Sequence, residues 1–211
     1  MTVARTGLFV RTLLALAAVA AALMVGSTAH AGMIGTGSAS YCDPTSSQPF
    51  APSDPNYYTL LPGGSFESGT VPWALSGGAA VVAGNETSYL NGKSDKRSLY
   101  LPAGGSAVTP TTCFALGDWH VRFMLKNVGA SSGVVHVQVI VPSLLGGLLT
   151  VLDGGTVRSG GTWTPSPRVE LLLSNVTSLI GTRAVAFRFT TEGRGAAYQL
   201  DDVYLDPWKC F

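Results

Sequence analysis

Three stretches of this chain alternate apolar and polar side chains with a period of two. In Trp119–Lys126, Trp119, Val121, Phe123 and Leu125 share one face, opposite His120, Arg122, Met124 and Lys126. In Val134–Val141, Val135, Val137, Val139 and Val141 oppose Val134, His136, Gln138 and Ile140. In Arg183–Thr190, Val185, Phe187 and Phe189 oppose Arg183, Ala184, Ala186 and Arg188. Such alternation predicts strands with one buried face and one partly wet face. Shorter β-rich runs predict further strands at Tyr57–Leu61, Val71–Leu75, Ala79–Ala83, Ser98–Leu101, Leu148–Leu152, Thr162–Thr164, Val169–Leu173 and Ala197–Leu205. Glycine-rich clusters separate them. Ser76-Gly77-Gly78 and Gly129-Ala130-Ser131-Ser132-Gly133 read as hairpin turns, and Asp153-Gly154-Gly155 as another turn. Many short strands at this spacing predict an all-β sandwich or barrel.

The first 31 residues do not share this pattern. Arg5 and Arg11 precede an uncharged stretch, Thr12–Thr28, and Ala29-His30-Ala31 supplies the small residues of a cleavage site before Gly32. That is the layout of a signal peptide, and it predicts export. An uncleaved anchor is the alternative, although 17 residues is the bottom of the range for spanning a bilayer. No other apolar run is long enough to span. Residues 32–56 are rich in Ser, Pro and Gly and read as an irregular arm, with 57–206 the β-domain and 207–211 a short tail. Cleavage removes two of the 13 basic residues and turns the formal charge from +1 to −1. A near-neutral chain without a basic stripe gives no footprint for nucleic acid.

Export permits disulfides. Cys42, Cys113 and Cys210 allow three pairings with one thiol left over. Cys42–Cys113 is favoured because Cys210 lies beyond the last strand. Closing that loop is worth about 4 kcal/mol in the chain-entropy model.

Four motifs in order carry a family resemblance. They are Gly64-Ser65-Phe66-Glu67-Ser68-Gly69 with Trp73, Gly161-Thr162-Trp163, Val185-Ala186-Phe187-Arg188-Phe189, and Leu200-Asp201-Asp202-Val203. Together they resemble the galactose-binding-domain-like jelly rolls, which include several carbohydrate-binding modules. The chain is also similar to small secreted actinobacterial proteins of unassigned function. The resemblance implies an antiparallel β-sandwich of jelly-roll type, with the first and last strands adjacent. It further implies a structural calcium ion between the opening acidic residue and the closing pair, so Glu67, Asp201 and Asp202 are the expected metal ligands. Calcium takes six to eight oxygens, so loop carbonyls would join the carboxylates. Adjacent strand residues point to opposite faces, so both aspartates reach one ion only across a bulge. The other reading is that these carboxylates accept backbone N–H bonds in turns.

Catalytic constellations are weak. Ser131 matches the nucleophile-elbow spacing, but a strand rather than a helix follows it. His120 and His136 are the two histidines beyond the signal segment, each on the face opposite its apolar stripe. Glu67 with Asp202 is the carboxylate pair to name for glycoside hydrolysis, and calcium on both would disable it. Trp73, Tyr89, Tyr100, Trp119, Trp163 and Tyr198 offer stacking faces, most of them expected in the core. The expectation is therefore a secreted, non-catalytic binding module, with glycans or a cell-envelope polysaccharide as the first partner class. The alternatives are a surface structural or protein-interaction protein and, further off, a glycoside hydrolase.

Overall fold

The computed structural model describes residues 45–68, 72–114, 120–141, 150–170 and 183–206, all within the unit Met33–Phe211. The signal segment, Cys42, Trp119, Cys210 and the tail 207–211 lie outside these residues. No helix occurs among the described residues. The strands are β1 (Thr59–Leu60), β2 (Ala74–Ser76), β3 (Ala80–Ala83), β4 (Arg97–Pro102), β5 (Ser106–Val108), β6 (Thr112–Phe114), β7 (His120–Asn127), β8 (Val134–Val141), β9 (Thr150–Val157), β10 (Thr164–Pro165), β11 (Val169–Glu170), β12 (Arg183–Glu192) and β13 (Ala197–Leu205).

Two antiparallel sheets form a β-sandwich of jelly-roll type. Sheet one runs β10-β7-β13-β4-β3, with β1 also beside β13 and β11 beside β7. Sheet two runs β2-β5-β12-β8-β9, with β6 also beside β12. Alternation along the central strands makes the core. Val121, Phe123 and Leu125 of β7 face Val135, Val137 and Val139 of β8 and Val185, Phe187 and Phe189 of β12, all fully or almost fully buried. An aromatic chain closes one end. Phe66 meets Trp73 edge-on at 5.0 Å, Trp73 stacks on Phe189 at 5.7 Å, and Phe189 meets Phe123 edge-on at 5.3 Å. The Trp73 indole N–H donates to the Pro62 carbonyl at 2.8 Å, satisfying its one polar atom.

Both turns expected to be hairpins are instead crossings between sheets. Ser76-Gly77-Gly78 leads from β2 in sheet two to β3 in sheet one, and Gly129–Gly133 from β7 in sheet one to β8 in sheet two. Turn chemistry is the same in either case; what decides is which neighbour buries the next apolar face. The second crossing presses on the 193–197 turn: a Cβ on Gly133 would sit 2.4 Å from the Ala196 Cβ, so only glycine fits. His120 and His136 therefore stand on different sheets, not on neighbouring strands. The turn expected at Asp153-Gly154-Gly155 lies inside β9. It is a bulge, with Gly155 at φ +92° and the register against β8 shifting between Val137 and Gln138.

The arm's described end is ordered against the outer face of sheet one. Ser47 bridges to Tyr58, and Phe50 meets Tyr58 and Tyr204 edge-on over the buried Met124. Buried Asp54 accepts from Arg122 at 2.6 Å, from Arg168 at 2.6 and 3.1 Å, and from the Tyr58 hydroxyl at 2.6 Å. Burial alone would raise the Asp54 pKa, but these donors outweigh it and hold the carboxyl far below the usual range.

Candidate functional site

The opening and closing motifs do meet. Thr59 and Leu60 pair with Leu205 and Tyr204, the Leu61 N–H donates to Val203, and the Val203 N–H donates to Gly64. Gly64 is needed there because a Cβ would sit 2.8 Å from the Val203 carbonyl oxygen. Next to this contact, β13 shifts register between Asp201 and Tyr204, and Asp202 takes a left-handed φ of 49°. This is the bulge that two adjacent aspartates would need to serve one site.

Asp201 and Asp202 are almost wholly buried, and so is Glu86 from the β3–β4 loop. Asp201 accepts from the Glu86 N–H at 3.1 Å and from the Asp202 N–H at 2.9 Å, while Asp202 accepts from the Asn91 N–H at 3.3 Å. Glu86 turns back to accept from the Ser88 and Leu90 N–H groups. Glu67 accepts from the Lys96 and Arg97 N–H groups at 2.7 and 2.6 Å, the turn-acceptor role. It is still close enough for its charge to act on Asp202. Burial, with the neighbouring Asp202 charge, pushes Asp201 up to about 9; burial, with Glu86, pushes Asp202 up to about 7.

The donor set here meets a cation's needs only in part. Among the described residues, no three His, Cys, Asp or Glu side chains converge as a ready metal cluster. Yet Asp202 Oδ1 and Asn85 Oδ1 are buried without a hydrogen-bond partner. Both are oxygens, the donor type that calcium takes, and Asp202 is coupled to the neighbouring Asp201. Sequence reading missed Glu86; its one signal was a charged residue following Gly84-Asn85 at the end of a strand.

A second surface faces outward from sheet two. One register row reads Ser76, Ser106, Thr190, His136, Thr156; the next reads Ala74, Val108, Arg188, Gln138, Asp153. The central members Ser106, Thr190, His136, Arg188 and Gln138 are half-buried although they point away from the core. Thr190 and Ser106 share a hydrogen bond at 3.2 Å, and Arg188 reaches Gln138 at 3.4 Å. His136 bridges Asp153 and Glu192, at 2.8 Å each. Burial lowers its pKa, but the two carboxylates outweigh this and raise it.

The aromatic candidates divide between core and surface. Trp73 and Tyr198 are core, Tyr89 is 49 % exposed, and Tyr100 and Trp163 stand half-buried outside sheet one. Tyr100 and Trp163 thus stand outside the core in which most of these aromatics were expected.

No family model and no curated protein matches the chain. Among solved structures, it is similar to the CBM22-1 xylan-binding domain of Paenibacillus barcinonensis Xyn10C, at 17% identity over 70% of this chain and 93% of that one, with a TM-score of 0.46. It is similar to TmCBM61, solved with β-1,4-galactotriose, at 20% identity over 69% and 96%, TM-score 0.41. A third is the family 11 carbohydrate-binding module of Clostridium thermocellum, solved with a β-1,3-1,4-mixed-linked tetrasaccharide, at 15% identity over 70% and 94%, TM-score 0.41.

Proposed function

We propose that the chain is a secreted, non-catalytic glycan-binding module whose ligand lies along the outer face of sheet two. The observation that carries this reading is the sheltered pair Arg188 and Gln138, beside the hydroxyls of Ser106 and Thr190. A sugar chain presents repeated hydroxyls that both donate and accept. A guanidinium, an amide and hydroxyls fixed on rigid strands match that pattern. The motif resemblance points the same way. A calcium ion held by Asp201, Asp202, Asn85 and Glu86, with Glu67 at its edge, would neutralise the buried carboxylates and fix the β3–β4 loop to β13. Cleavage before Gly32 and a Cys42–Cys113 disulfide belong to the same reading.

The test is titration of the mature protein with xylan, β-1,4-galactan and mixed-linked β-glucan oligosaccharides. Binding of at least one is expected, with at least a tenfold loss in Arg188→Ala and Gln138→Ala variants that melt like the parent. Retained affinity in the double variant would overturn the assignment, as would an inert parent protein.

A further inference from the structure

The outer face of sheet one carries a row of side chains that the proposed site does not use. Tyr100 of β4 pairs with Gln199 of β13, and Gln199 with Lys126 of β7. Thr164 pairs with Leu125, so Trp163, one residue earlier, falls beside Lys126. All four side chains point outward, because their strand neighbours Leu99, Leu101, Tyr198, Leu200 and Leu125 fill the core. All four are half-buried. Lys126 Nζ stands over the Trp163 ring, 6.0 Å from its centroid, and Trp163 packs against the Phe50, Tyr58, Met124 and Tyr204 cluster. Among the described residues, the Tyr100 hydroxyl, the Gln199 amide, the Lys126 ammonium and the Trp163 indole N–H have no hydrogen-bond or ion-pair partner.

We infer that this row is a second glycan site, for a chain that carries an acidic sugar. Two aromatic side chains, Tyr100 and Trp163, stand at the ends of the row, three strand spacings or about 14 Å apart. That separation suits stacking on two sugar rings of one oligosaccharide, each ring burying its apolar face on an aromatic. Gln199 between them donates to and accepts from hydroxyls. Lys126 is the one charge in the row and lacks a carboxylate within ion-pair distance among the described residues, so a uronic acid carboxylate is its matching partner. The arm makes the site rigid: Asp54 pins Arg122 and Arg168, and the aromatic cluster beside them holds Trp163 in place. The inference extends the glycan-binding reading to the opposite face, through different residues.

Titration with oligogalacturonate, alongside the neutral oligosaccharides, tests it. Wild type should bind the acidic oligosaccharide, more weakly as salt rises. Trp163→Ala and Lys126→Gln should each lower that affinity at least tenfold, and Trp163→Phe should keep most of it. Neither should alter neutral binding, and Arg188→Ala should leave acidic binding intact. Wild type that ignores oligogalacturonate, or binding lost in Arg188→Ala but kept in Lys126→Gln, would overturn the second site. Acidic binding that survives without any neutral binding would support this site and sink only the first. Lys126→Gln changes no core contact, so a folding failure in Trp163→Ala leaves the test standing.

Discussion

Asp201 and Asp202 titrate far above an unfolded aspartate, whose pKa is about 3.9. As pH rises from about 4, the unfolded chain releases these protons while the folded chain holds them. Stability therefore falls with rising pH, through Asp202 near about 7, and levels off only above Asp201 near about 9. In chelator, the melting temperature should drop steadily between pH 4 and 9, and Asp202→Asn should flatten that slope. Calcium should raise the melting temperature more at pH 8 than at pH 5. A flat profile in chelator would refute the role given to these carboxylates. The aspartate pair was visible in the sequence because two acids interrupt an apolar strand. Glu86 was not, since it lies 115 residues from Asp201 and a glutamate in a loop is ordinarily solvated.

One side chain of sheet two reaches both of its neighbouring strands. His136 on β8 donates to Asp153 on β9 and Glu192 on β12, so the imidazolium joins three strands. Its pKa is raised by these partners, so the clasp contributes fully below the unfolded histidine value of about 6.5. The contribution is lost as pH rises through the raised folded value. With Asp153 75% and Glu192 51% exposed, it is worth at most about 1 kcal/mol. Wild type should melt above His136→Gln at pH 5.5, and the gap should close by pH 9; a constant gap would mean packing rather than charge. The strands themselves were readable from alternation, as Val135, Val137 and Val139 show. Their partition into sheets was not, because Gly77-Gly78 and Gly129–Gly133 permit either a return to the same sheet or a crossing. The bulge in β9 hid as a turn for the same reason: Asp-Gly-Gly marks a positive φ, not the end of a strand.

At the scale of the molecule, the arm and the sandwich behave as one piece. Asp54→Ala would leave Arg122, only 12% exposed, without its carboxylate, and should cost about 3 kcal/mol in a denaturant melt. A loss below about 1 kcal/mol would mean that the arm is only laid on the surface. In the Ser- and Pro-rich stretch before Tyr57, Phe50 stands out as an apolar residue able to pack, but nothing signals that Asp54 is buried. Their partners Arg122 and Arg168 lie 68 and 114 residues away from Asp54, beyond the reach of local patterning. The order of the strands also has a temporal consequence. β13 is the last strand in the described chain, yet it lies inside sheet one, between β7 and β4, with β1 beside it. Until Ala197–Leu205 has left the ribosome, β3 and β4 have no link to β7, β10 and β11. Until then β1 and the inner edges of β4 and β7 lack the partner that β13 supplies, and contacts this distant in sequence form slowly. Sheet one therefore closes around β13 rather than growing outward from its first hairpin.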